Sequence, residues 1–201
     1  MALDLDGTGS TLMARVLYRV RQFWRGLSAR LTPEDRQRVE ETLPAAALPL
    51  FWQMPVDAQR HSLNVLQSVW MAGYHHPDLA VAALLHDCGK VAAEQGGVRL
   101  GLWLRGPLVV LDALLPRQAE RWASANPQQG WRYALYVHRC HPAIGAAWAA
   151  EAGCSVLSCW LIAHHQTPLH EISDSTAGSI TGDVQEARTL LAVLQHADNG
   201  N

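Results

Sequence analysis

The sequence contains no apolar run long enough to cross a membrane. Its longest apolar stretches, Leu43–Trp52 and Leu108–Leu115, fall well short of the roughly 20 residues a spanning helix needs, and each is interrupted by proline or charge. It also lacks an excess of positive charge. Sixteen Lys and Arg stand against 18 Asp and Glu, for a net charge of −2 with histidine neutral, so no global field favours a nucleic-acid backbone and no polynucleotide partner is expected. Cysteine is sparse. Cys88, Cys140, Cys154 and Cys159 form no Cys-x-x-Cys pair and sit in apolar helical stretches, which reads as reduced, structural thiols. Met1–Ser10 is polar and carries Asp4 and Asp6 where the basic region of a signal peptide would belong, so a soluble, cytoplasmic protein is expected. Internal repeats are absent and period-2 strand patterns nearly so.

What is present is helical periodicity. The 201 residues, 49% of them hydrophobic, suffice for one core and one domain. Leu12, Val16, Val20, Phe23, Trp24 and Leu27 recur at helical spacing, with arginines on the other faces, and predict an amphipathic helix over Leu12–Leu27. Thr32-Pro33-Glu34-Asp35 is a helix start, opening a segment that runs to about Leu43. Pro55 to about Ala72 reads as a helix closed by Gly73 and contains His61. Pro77-Asp78 opens a helix apolar nearly all round, as befits one buried mid-domain, and it ends in His86-Asp87-Cys88-Gly89-Lys90.

A glycine-bearing stretch (Gly96, Gly97, Gly101) and helical segments near Leu108–Leu115 and Arg117–Ala125 follow. Trp131–Arg139 and Pro142–Ala152 predict two helices broken just before Pro142, leaving His141 at a helix start. Ser155–His165 predicts a helix ending in His164-His165. Thr167–Gly182 reads as a polar loop. Asp183 to about Ala197 predicts the last helix and delivers Asp198.

Histidine is the unusual component, with ten in the chain. Any one of them has an ordinary structural explanation. The ordered set of His61, the His86-Asp87 pair, His141 before proline, the His164-His165 pair and a final Asp198 points instead to a shared site. Successive side chains on a helix diverge by about 100°, so His86 and Asp87 serve one centre only at a helix end or with ions between them. A bridging Asp87 satisfies this, with His61, His86 and Asp198 on one ion and His141, His164 and His165 on the other.

Imidazole mixed with carboxylate suits transition metals better than Mg or Ca, and two divalent ions, iron or manganese, are expected. Such a pair activates a shared water and clamps the oxygens of an in-line displacement at phosphorus, with a bridging hydroxide as nucleophile. Lys90, three residues beyond Asp87, can neutralise phosphoryl charge. Arg60 and Arg139 are weaker candidates for that role, and Asp57 reads as a first-turn acid facing the helix dipole. His75, His76, His138, His170 and His196 are assigned to structure or surface.

With these residues in view, Ala-Leu-Leu-His86-Asp87-Cys-Gly-Lys90, His141-Pro-Ala-Ile-Gly145, Ile-Ala-His164-His165 and the late Asp198 resemble the successive motifs of the HD-domain metal-dependent phosphohydrolases, in the two-metal branch that includes the HD-GYP phosphodiesterases and related nucleotide hydrolases. The resemblance spans about Pro55 to Asn199. It implies an all-α, single-domain HD-type bundle around a central dinuclear metal site, over residues 55–199, preceded by an N-terminal helical extension over 1–54. It also implies hydrolysis of a phosphate ester or anhydride in a small, nucleotide-type substrate. Gln166 follows the histidine pair where HD-GYP proteins usually carry Glu, and no Gly-Tyr-Pro follows, so a cyclic dinucleotide is not singled out. Two alternatives remain open: an HD-fold di-iron oxygenase, and a catalytically inactive nucleotide-binding module.

Overall fold

The computed structural model describes residues 30–98, 111, 114–173, 180 and 183–201. The expected helix over Leu12–Leu27, most of Leu108–Leu115, and residues 174–179, 181 and 182 of the polar stretch lie outside the described residues. Among the described residues the chain is all-helical, without a strand, and no helix is long and apolar enough to cross a membrane.

Helix α1 (Pro33–Thr42) starts with a reciprocal cap. The Asp35 amide donates to Thr32 Oγ1 (3.2 Å) and the Thr32 amide donates to Asp35 Oδ2 (2.9 Å), satisfying donors that a helix start leaves open. The same Asp35 carboxylate pairs with Arg60. A 3₁₀ turn, Ala45–Ala47, leads into α2 (Leu48–Trp52). The buried Gln59 side-chain amide then donates to the Phe51, Trp52 and Met54 carbonyls, fastening α2 to α3 (Val56–Met71). Gly73, at φ 87°, ends α3 in the left-handed conformation that glycine adopts without cost.

Helix α4 (Pro77–Leu85) is the central element: every residue from Leu79 to Leu85 is buried, and α3 and two later helices, α8 (Val156–His164) and α9 (Val184–Gly200), pack around it. Val39, Leu43, Ala47, Phe51 and Met54 belong to the same hydrophobic core as α3, α4, α8 and α9, so residues on both sides of position 54 contribute to it. A 3₁₀ turn, Cys88–Lys90, joins α4 to the short α5 (Val91–Gln95). After α6 (Pro116–Trp122) comes α7 (Trp131–Glu151), the longest helix among the described residues, which packs on α8 and on the Cys88–Lys90 turn. A smaller cluster of Ala92, Ala93, Ala119, Ala134, Leu135 and Val137 fills the space between α5, α6 and the first half of α7.

Helix α7 corrects one expectation. The break predicted before Pro142 does not occur: Pro142 lies inside a continuous helix and His141 sits mid-helix, both buried. An interior proline forfeits one backbone hydrogen bond. Here the tertiary face formed by Val137, His141, Pro142, Gly145 and Ala149, all buried, keeps the helix continuous against the local preference for a break.

Candidate metal centre

Three helix ends and two helix interiors converge on one point. The end of α4 supplies His86 and the residue after it, Asp87; the end of α8 is followed by His165; the end of α9 carries Asp198; α3 and α7 contribute His61 and His141 from their interiors. Donor atoms of His61, His86 and Asp198 lie within 4.8 Å of one another, as do those of Asp87, His141 and His165. His61 Nε2 is 2.9 Å and His86 Nε2 3.5 Å from Asp198 Oδ1.

Asp87 stands between the two groups and turns one oxygen to each. Its Oδ1 lies 3.3 Å from His141 Nε2 and 3.8 Å from His165 Nε2, and its Oδ2 lies 3.8 Å from His86 Nε2. Lys90 Nζ is 2.7 Å from that Oδ2. Lys90 is the only lysine in the chain, every other basic residue counted with it being arginine.

Two glycines allow this convergence. The Cys88–Lys90 turn meets α7 backbone to backbone: a Cβ on Gly89 would run into the His141 carbonyl and the Gly145 amide, and one on Gly145 would sit 3.1 Å from Cys88 Sγ and from the Gly89 amide nitrogen. The approach brings Asp87 onto His141. Both glycines stand inside the motifs read from the sequence, but their contact spans more than fifty positions and no local pattern announces it.

No family model, curated protein or solved structure matches the chain. The donor atoms therefore carry the argument alone. His86, His141 and His165 are buried, and in each the Nδ1 pairs with the carbonyl three residues back: Ala83 (3.0 Å), His138 (2.7 Å) and Ile162 (2.8 Å). A carbonyl only accepts, so each Nδ1 carries the hydrogen when this bond is made and the neutral ring presents a bare Nε2. Those three Nε2 atoms are buried without a hydrogen-bond partner. Orphaned buried polar atoms are costly, and three of them converging on one carboxylate, each with its far nitrogen anchored, is the arrangement of imidazoles set to ligate metal. The residues present fit divalent metal.

The local electrostatics agree. Burial works against ionisation of Asp87, but the Lys90 ammonium and His86 outweigh it and hold the carboxyl well below its usual range. Burial likewise opposes ionisation of Asp198, and the His61 bond together with the adjacent His86 ring overcomes that and holds the carboxyl well below its usual range. Burial lowers His141 and pushes His165 down to about 3, keeping both rings neutral. His86 goes the other way: desolvation would lower it, and Asp87 and Asp198 together raise it. Burial pushes the Cys88 thiol up to about 12, so it packs as a neutral group.

The remaining candidates are placed elsewhere. His164 belongs to neither group; its ring lies 4.9 Å from that of Trp160, because neighbouring helical side chains diverge and His165 takes the inward direction. Arg60 is engaged by Asp35 and the Arg30 carbonyl. Asp57 is in neither donor group. His75 stacks on Trp70, and His76 Nδ1 caps α4 by accepting the Asp78 amide.

Proposed function

We propose that this chain is an HD-type phosphohydrolase that holds two divalent transition-metal ions and cleaves a phosphate ester or anhydride in a small, nucleotide-type molecule. The observation that carries the proposal is the set of three buried, partnerless Nε2 atoms gathered around a carboxylate that turns one oxygen to each donor group. His61, His86 and Asp198 would hold one ion, His141 and His165 the other, and Asp87 both. The mixed imidazole and carboxylate set suits iron or manganese. Ions held there would make water nucleophilic near neutral pH and polarise a phosphoryl oxygen. Lys90, about one-third exposed at its side chain, would place a compact positive charge beside the phosphoryl group as negative charge develops in the transition state.

The test is elemental analysis of chelator-free protein, followed on the same sample by a panel of nucleotides, dinucleoside polyphosphates and cyclic dinucleotides. About two transition-metal ions per chain with hydrolysis of one class supports the proposal. Two ions with no hydrolysis of any of them contradicts it.

One observation favours a second reading, the di-iron oxygenase. With His164 against Trp160, the ion held by Asp87, His141 and His165 would have three protein donors rather than the four that a third histidine would give, which leaves one more open position there, and dioxygen chemistry needs open positions. Oxygen uptake coupled to substrate oxidation, with phosphate esters left intact, would select it.

A further inference from the structure

Inside a regular helix the carbonyl of residue 138 would accept from the amide of residue 142. Position 142 is proline, which has no amide hydrogen and whose ring pushes against the carbonyl four residues back. The His138 carbonyl thereby loses its helical donor, and His141 Nδ1 pairs with it at 2.7 Å. His86 and His165 find the same partner, the carbonyl three residues back, by another route. Ala83 and Ile162 lie among the last four residues of α4 and α8, whose carbonyls have no donor within the helix. His141 sits mid-helix, where a carbonyl ordinarily already accepts from the amide four residues on.

We infer that Pro142 is a positioning residue for the metal centre: by removing the helical donor that would compete for the His138 carbonyl, it lets that carbonyl anchor His141 Nδ1 and leaves Nε2 bare toward Asp87. This rests on the metal-centre reading above. It also accounts for a proline, costly in a helix interior, at a buried position beside a candidate ligand.

Pro142→Ala tests it, because the two roles proline could have move the readouts in opposite directions. Restoring the amide repairs the helix, so the metal-free variant melts at or above the wild-type temperature. The amide also competes for the His138 carbonyl, so Mn²⁺ titrated into the full chain by calorimetry loses about 10- to 100-fold in affinity for one ion, the loss typical when the partner anchoring a ligand is removed. The other ion stays as in wild type, and the weakened one is the ion lost in His141→Ala. Unchanged Mn²⁺ binding, equal weakening of both ions, or a lower melting temperature overturns the inference. Wild-type chain that binds no Mn²⁺ overturns the metal-centre reading itself and is seen before any variant is made. Should Pro142→Ala not fold, ¹⁵N imidazole spectra of the metal-free wild type decide instead. A neutral His141 with hydrogen on Nδ1 supports the inference, and hydrogen on Nε2 overturns it.

Discussion

Lys90 Nζ and His86 Nε2 share one oxygen of a buried carboxylate: the ammonium lies 2.7 Å and the imidazole 3.8 Å from Asp87 Oδ2. In the metal-free chain the sole lysine thus supplies the positive charge nearest the oxygen that an ion in the His61, His86 and Asp198 group would also face.

Lys90→Met removes that charge and leaves Asp87 buried with less compensation. Losing one partner of a fully buried pair costs about 3–5 kcal/mol; with Lys90 partly solvated, about 1–2 kcal/mol is expected. Denaturant melts of metal-free protein should show this loss, and metal loading should shrink it, because an ion then neutralises the same carboxylate. Turnover should fall by about 10²-fold, the scale for one lost electrostatic contact to the transition state, with metal content unchanged. Loss of metal from the variant would show that Lys90 has another role.

Gly89→Ala introduces a methyl group where the turn and α7 touch through their backbones. Neither the His141 carbonyl nor the Gly145 amide can rotate away as a flexible side chain could. Overpacking of this kind costs about 1–3 kcal/mol, sometimes more, and here it also separates Asp87 from His141. A lower melting temperature together with weaker Mn²⁺ binding is expected; a variant matching wild type in both would remove the close approach from the account.

His164→Ala separates the ligand set expected from the sequence from the set seen in the fold. Tilted against Trp160 and outside both donor groups, His164 is expected to leave metal content at the wild-type level when truncated. His165→Ala, by contrast, should lose one ion. A drop in stoichiometry in His164→Ala would return it to the ligand set.

The acid response of the metal-free chain follows from its histidines. His141 and His165 have lowered values in the folded state, His165 about 3, whereas an unfolded histidine titrates near about 6.5. Below that pH the unfolded chain takes up protons the folded chain refuses, so stability declines as pH falls, by up to about 1.4 kcal/mol per pH unit for each group. Asp87 and Asp198, held low, add a loss of the same sign below about pH 4, near the unfolded carboxylate value. His86, raised, contributes fully below about 6.5 and loses that contribution as pH rises through its folded value. Thermal melts in chelator should therefore show greatest stability near pH 6.5, with a decline already clear at pH 5. A flat profile between pH 5 and 6.5 would contradict buried neutral His141 and His165.

Much of the helical layout was legible because its signals are local. Thr32 and Asp35 cap α1 as their spacing suggests, Gly73 ends α3, and the unbroken apolar run Leu79–Leu85 marks the buried central helix. The order of the motifs pointed to one group of His61, His86 and Asp198 and another of His141, His164 and His165 with Asp87 between them, and the fold brings these residues together except His164. What escaped was set by tertiary packing. Local preference breaks a helix before Pro142, but a buried face holds α7 continuous. Adjacent histidines look equivalent in the sequence, and only the packing of α8 decides that His165 turns inward while His164 meets Trp160. The Gly89 and Gly145 contact joins two segments that carry no mutual signal.

The most direct test of the central claim is the metal content of Asp87→Ala beside wild type, both purified without chelators. Because Asp87 turns an oxygen to each donor group, wild type should carry about two transition-metal ions per chain, and the variant should lose both, or keep at most one weakly bound ion, with no phosphate-ester hydrolysis. Wild type without metal, or a variant that keeps two ions and full turnover, would contradict a dinuclear centre built on Asp87.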